Sequence, residues 1–126
     1  MIRGHRGLKV YQLAYRLAME IFEETKKFPK EERFSLTDQI RRSSRSVAAN
    51  IAEGYRKRRY QAMFVSRVAD ADAEATETQV WLDFARDCGY LPSYRRDQLV
   101  TAYKEVGRLR PSAACLMESS AWLLKP

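Results

Sequence analysis

Histidine, cysteine, proline and glycine are all scarce in this chain: one His, two Cys, four Pro and five Gly among 126 residues. His5 with Cys88 and Cys115 is too small a donor set for a metal cage, and two thiols are too few for a disulfide framework. Both cysteines are expected as buried or half-buried free thiols. No stretch approaches the about eighteen apolar residues that a membrane span requires. The N-terminus "MIRGHRGLKVYQ" lacks the apolar centre of a signal peptide, which predicts a cytoplasmic protein with no membrane partner. There is no Gly-rich phosphate loop and no histidine beside a nucleophile, and His5 is expected in solvent near the chain end. The expectation is a protein that is not an enzyme, with no catalytic residue, no metal and no cofactor.

What is present is helix. Proline occurs only at Pro29, Pro92, Pro111 and Pro126, and 45% of residues are apolar, so long stretches can run as uninterrupted amphipathic helix around one core. Residues 1–126 are expected to form one domain. The first helix, about 8–27, carries Leu8, Tyr11, Tyr15, Ala18 and Phe22 at three- and four-residue steps, joined by Val10, Leu17 and Ile21. Pro29 ends it. A second helix, about 36–54, is expected to start from a Ser35–Asp38 capping pair and to stop at Gly54 in the left-handed conformation. A third, about 60–88, has Phe64, Val68, Ala71, Ala75, Thr78 and Leu82 in a heptad-like seam and ends at "DCGYLPS". A fourth, about 94–109, is expected behind Ser93 as its cap with Leu99, Val100, Tyr103 and Val106 inward. Pro111 makes 112–122 a kinked or separate segment. No stretch alternates as a strand. Four helices with short connections give an all-α fold, an antiparallel up-down-up-down four-helix bundle.

The second helix carries the functional signal. At about 100° per residue, Leu36, Ile40, Ser43, Val47, Ile51 and Tyr55 share the arc expected to face the core. Gln39, Arg42, Ser46, Asn50 and Glu53 form a polar stripe. Arg41, Arg45, Ala48, Ala49, Ala52 and Arg56 form a third side, where cations alternate with small residues. The polar stripe reads either as a solvated face or as a helix contact in which short polar side chains set register. Solvated helix faces favour Glu and Lys, and Asn and Ser are mediocre helix formers, which speaks for the contact. Within "DADAEATETQ" on the third helix, Asp70, Glu74 and Glu77 share one side and could meet arginines of the second, or else face solvent.

Charge divides the chain unevenly. Residues 1–59 hold fifteen Lys/Arg against seven Asp/Glu, whereas residues 60–126 hold eight against nine. The cations Arg56, Lys57, Arg58 and Arg59 follow one another, flanked by Tyr55 and Tyr60. A helix C-terminus welcomes one or two cations, not four in a row. With Arg41 and Arg45, and with Lys26, Lys27 and Lys30, they form a candidate nucleic-acid surface working through phosphates rather than base sequence. The alternative is a protein-only scaffold presenting a basic rim to an acidic partner.

The stretch "KFPKEERFSLTDQIRRSSRSVAANIAEGYRKR" resembles the signature of the bacterial four-helix bundle family, the 23S rRNA intervening-sequence proteins: Phe-Pro-x-x-Glu leading to a Gln-x-x-Arg helix that ends in Asn-Ile-Ala-Glu-Gly. "ETQVWLDFARDCGYL" is similar to the third helix and turn of some members, and with "LKVYQLAY" the likeness spans about residues 8–108. The family motif falls on Gln39, Arg42, Ser46, Asn50, Ile51, Ala52, Glu53 and Gly54. The resemblance implies a homopentameric barrel of four-helix bundles without enzymatic activity. Through the similar accessory variability proteins of diversity-generating retroelements, it also implies RNA or DNA, and a reverse transcriptase, as partners. Asn50 and Glu53 are then expected to fix how helices meet, within or between protomers.

Overall fold

A computed structural model describes residues 4–108. The expected segment 112–122, with Pro111 and Cys115, lies outside the described residues. Four helices account for most of the described chain: α1 (Lys9–Thr25), α2 (Leu36–Arg56), α3 (Gln61–Asp87) and α4 (Ser93–Arg108). One-turn 3-10 helices at His5–Gly7 and Lys30–Glu32 precede α1 and α2. No strand occurs among the described residues. Each helix packs against the next, and α4 returns to α1, which closes an antiparallel bundle.

The interior is built from the spacing of apolar positions. Val10, Ala14, Leu17 and Ile21 of α1 are buried. They are met by Ile40, Val47 and Ile51 of α2, by Phe64, Val68, Ala71, Ala75 and Leu82 of α3, and by Leu99, Val100, Tyr103 and Val106 of α4. Hydroxyls also enter this interior, and two of them pair: Thr78 Oγ1 lies 2.8 Å from Ser43 Oγ and 2.9 Å from the Glu74 carbonyl. A wide apolar stripe on α1 leaves its edge outside, so Tyr15 is exposed where the repeat pattern puts it inward. Tyr103 is fully buried; burial and, to a smaller degree, the charge of Glu20 push its phenol pKa up.

Several punctuation marks differ from their sequence reading. The helix expected over 8–27 is Lys9–Thr25, because Lys26 and Lys27 turn the chain toward the buried Phe28 before Pro29. Gly54 does not end α2 and has no positive φ; the helix runs on to Arg56. Gly54 is instead a point of close approach between α2 and α3: an added Cβ would sit 3.3 Å from Arg67 Cβ and 3.8 Å from Phe64 Cδ1. Ser35 and Asp38 form no capping box. The Ser35 hydroxyl donates to Glu32 Oε1 at 2.5 Å, and the same oxygen accepts from the Leu36 amide at 3.4 Å, so a carboxylate from the preceding turn takes the first amide of the helix. Helix α3 is Gln61–Asp87 rather than 60–88. Gly89, at φ 81, closes it with the Tyr90 amide donating to the Ala85 carbonyl and the Gly89 amide to the Arg86 carbonyl, the paired bonds of a Schellman motif. Ser93 is the first residue of α4 and not its cap; the Pro92 carbonyl accepts from the Arg95 and Arg96 amides. Cys88 is exposed, contrary to the expectation for a free thiol, because it lies in that turn. His5 is half-buried edge-on against Tyr11, with ring centroids 4.7 Å apart, and so is not free in solvent.

Helix α3 has a second apolar side. Ala62, Val65, Ala69, Ala73, Thr76, Val80 and Phe84 step by three and four residues and are all exposed. At about 100° per residue this line lies opposite the buried seam of Phe64, Val68, Ala71, Ala75, Thr78 and Leu82. Only one of the two can face the bundle's own core.

Candidate functional site

Helix α2 presents its three sides to three surroundings. The core arc is buried from Leu36 through Ile51, with Tyr55 half-buried at its end. Thr37, Ser44, Ala48 and Gly54 are also buried, which takes Ala48 away from the cationic side. Small residues here let α1 and α3 come close.

The polar stripe faces α3 of the same chain. Arg42 pairs with Glu74 at 3.1 Å and with Glu77. The Asn50 amide donates to the Ser46 carbonyl at 3.0 Å and to its hydroxyl at 3.1 Å, and Asn50 Oδ1 accepts from Arg67 at 3.4 Å. Arg67 also pairs with Glu53 at 3.3 Å and Asp70 at 3.6 Å. Ser46, Asn50, Glu53, Arg67, Asp70 and Glu74 line an open groove of about 420 Å³ between α2 and α3. Gln39, at the head of the stripe, is half-buried and takes no part in these bonds. Arg67 was not singled out in the sequence. Its signal is its place one turn before the acidic run, where a cation can answer both Glu53 and Asp70.

The cations fall into two groups. One gathers where α1 turns into α2. Lys26 Nζ and the guanidinium carbons of Arg41 and Arg45 stand 4.9, 4.7 and 5.9 Å from the centroid of the Phe22 ring, three cations around one aromatic ring. Arg41 Nε donates to Thr25 Oγ1 at 2.7 Å, which fixes its side chain. Arg33, Phe34, Arg41, Arg42 and Arg45 line a cleft of about 730 Å³ over Thr37 and Ala49, with Asp38 its one carboxylate. Arg33 and Phe34 follow the break at Pro29 and fall on no helix face, so periodicity gives them no role.

The second group is the α2–α3 turn. Arg58 folds back, donating to the Tyr55 carbonyl at 3.0 Å and lying 4.1 Å from its ring centroid. Arg56, Lys57 and Arg59 are exposed and make no ion pair or side-chain hydrogen bond among the described residues, and Tyr60 is exposed beside them. About 16 Å of helix separates Arg45 from Arg56, so the two groups lie toward opposite ends of one helix. Of the remaining candidates, Lys26 and Lys27 pair with Glu23 and Glu24, whereas Lys30 is exposed and unpaired.

Carboxylates elsewhere hold the frame. Arg95 bonds Glu24 at 2.8 Å and Glu20 at 2.7 Å, tying α4 to α1; these bonds raise its pKa. Arg96 bonds Asp83 at 2.6 Å, tying α4 to α3. The Tyr90 hydroxyl donates to Glu32 Oε2 at 2.9 Å, which pushes the phenol up to about 12. Hydrogen bonds from Ser35 and then Tyr90 hold the Glu32 carboxyl below its ordinary range. Among the described residues no group of three His, Cys, Asp or Glu converges as a metal cage would need. No helix of the described residues is long and apolar enough to cross a membrane.

Together these features define a small all-α bundle protein whose second helix has a polar seam on one side and partly unpaired cations on another. The chain belongs to the 23S rRNA-intervening sequence protein family, which it matches over residues 6–110. It is similar to a crystal structure of a protein with unknown function from the S23 ribosomal protein family of Bacteroides thetaiotaomicron VPI-5482. The two share 24% sequence identity and a TM-score of 0.73, over 87% of this chain and 96% of that one, a likeness of fold. No curated protein matches the chain.

Proposed function

We propose that this protein is a non-enzymatic, cytoplasmic accessory factor that binds nucleic acid through the sugar–phosphate backbone and acts as a homo-oligomer. The observation that carries the reading is the uneven use of charge. Arg42, Arg67, Arg95 and Arg96 are engaged by carboxylates of their own chain, whereas Lys30, Arg45, Arg56, Lys57 and Arg59 are exposed without one. Cations left unpaired on one helix and its adjoining turns can neutralise phosphates and release counterions, a gain that needs no base-specific contact. The larger cleft, along α2 and the turn before it, is lined by four arginines and Phe34 with one carboxylate, which suits an anionic ligand. The outer apolar line on α3 supports self-association, and a pentamer is the number the family likeness implies. A reverse transcriptase, as in the similar retroelement proteins, is a candidate protein partner.

Filter binding at two salt concentrations tests the reading. With about four phosphates neutralised, log affinity should fall against log salt with a slope of about −3 to −4, with little dependence on sequence. Replacing Arg56, Lys57 and Arg59 by Ala should flatten that slope by about two units. Undetectable binding in low salt would remove the proposal and leave the basic rim to an acidic protein, recognisable as a pull-down partner that survives nuclease.

A further inference from the structure

The cleft at the start of α2 differs from a plain basic patch in one respect. Phe34 is 83% exposed, more than any other large apolar side chain among the described residues, and it stands in the same cleft as four arginines. A bare phenyl ring beside phosphate-binding groups offers two things at once: a surface on which a planar base can stack, and charge to hold the strand that carries it. Arg33 already lies over the ring, 5.1 Å from its centroid, which braces the ring and adds a cation beside the stacking surface. Deeper in, Arg41 is held by Thr25 through Nε, so that its terminal amino groups are pre-positioned. Arg45 packs against Phe22 and has no carboxylate partner.

We infer that this cleft binds an unpaired nucleotide, with its base stacked on Phe34 and the adjoining phosphates held by Arg41 and Arg45. The partner is therefore single-stranded nucleic acid rather than duplex. A duplex keeps its bases stacked on one another and presents only phosphates to a protein surface, so it gains nothing from Phe34. A single strand can turn a base out onto the ring. The one carboxylate in the cleft, Asp38, is outnumbered by the arginines and does not reverse the sign of the field. This inference rests on the backbone-binding function proposed above and adds to it the strand state and the stacking residue.

Fluorescence anisotropy at low salt decides it, using an oligouridylate of about twelve nucleotides and a blunt duplex of the same length. The wild-type chain should bind the single strand about 10-fold more tightly than the duplex. Phe34→Ala should weaken the single strand by about 10-fold and leave the duplex unchanged, and Phe34→Trp should restore the single-strand affinity. Phe34 is exposed, so circular dichroism should find both variants folded. Equal affinity for the two probes, with Phe34→Ala indistinguishable from wild type, would overturn the inference while leaving backbone binding intact. Failure to bind either probe would overturn both.

Discussion

Gly54 shows how one residue can be identified correctly as special and for the wrong reason. A glycine after an Ala-rich helix reads as a C-terminal stop, because left-handed backbone favours it. The structure uses its missing side chain instead: α3 passes so close that a Cβ would meet Arg67 Cβ at 3.3 Å. Sequence spacing along α2 cannot reveal which residue of α3 lies opposite, so the close approach was not legible. Gly54→Ala should be nearly neutral, since a helix-propensity gain of about 1 kcal/mol is offset by that short contact. Gly54→Val adds two methyl groups against atoms fixed by the α3 backbone and should destabilise by about 1–3 kcal/mol. Urea unfolding of the two variants measures this; a valine variant as stable as the wild type would mean that the helices do not meet at Gly54. Gly107 is the control, because an added Cβ there meets Asp72 Oδ1 at an ordinary 3.6 Å.

Among the elements, helices were legible and their ends less so. The buried seam of α3 and the inward residues of α4 follow directly from three- and four-residue spacing, which burial imposes on any helix with one wet side. The start of α2 does not, because its first amide, that of Leu36, is served by Glu32, a residue outside the helix whose role depends on the path of the preceding turn. That arrangement predicts a pH dependence. Ser35, Tyr90 and the Leu36 amide all favour ionised Glu32, so its folded-state pKa lies below the ordinary 4.5. A group with a depressed folded pKa contributes stability above its unfolded pKa and loses it as pH falls through the folded value. The melting-temperature gap between wild type and Glu32→Gln should therefore be widest near neutral pH and shrink below 4.5. A gap unchanged down through that range would show that the bonds do not depend on the carboxylate's charge. Tyr90→Phe should reproduce part of the loss, since the hydroxyl bonds the same carboxylate.

At the scale of the whole molecule, the sequence revealed the polar stripe but not which surface it meets. Short polar groups at helix spacing mark a close contact. Only the packing of α2 on α3 shows that Asn50, itself bonded to Ser46, and Glu53 meet Arg67 within one chain. The docking surface for a second copy is then sought elsewhere, and the outer line of α3 has the required form. Val65, Val80 and Phe84 are 44%, 43% and 53% exposed, spaced by small residues that would admit another helix, on the side opposite the bundle core. An α3 facing water would place charge there, as the polar sides of α1 and α4 do. Val65→Glu and Val80→Glu together put like charges into such a seam without touching the core. Light scattering on the wild-type chain should give a multiple of 14.7 kDa, and the double variant should fall to the monomer while keeping its helical content. The apolar side of α3 would be assigned to something other than self-association by a wild-type monomer. The same reassignment would follow if the variant retained its full mass.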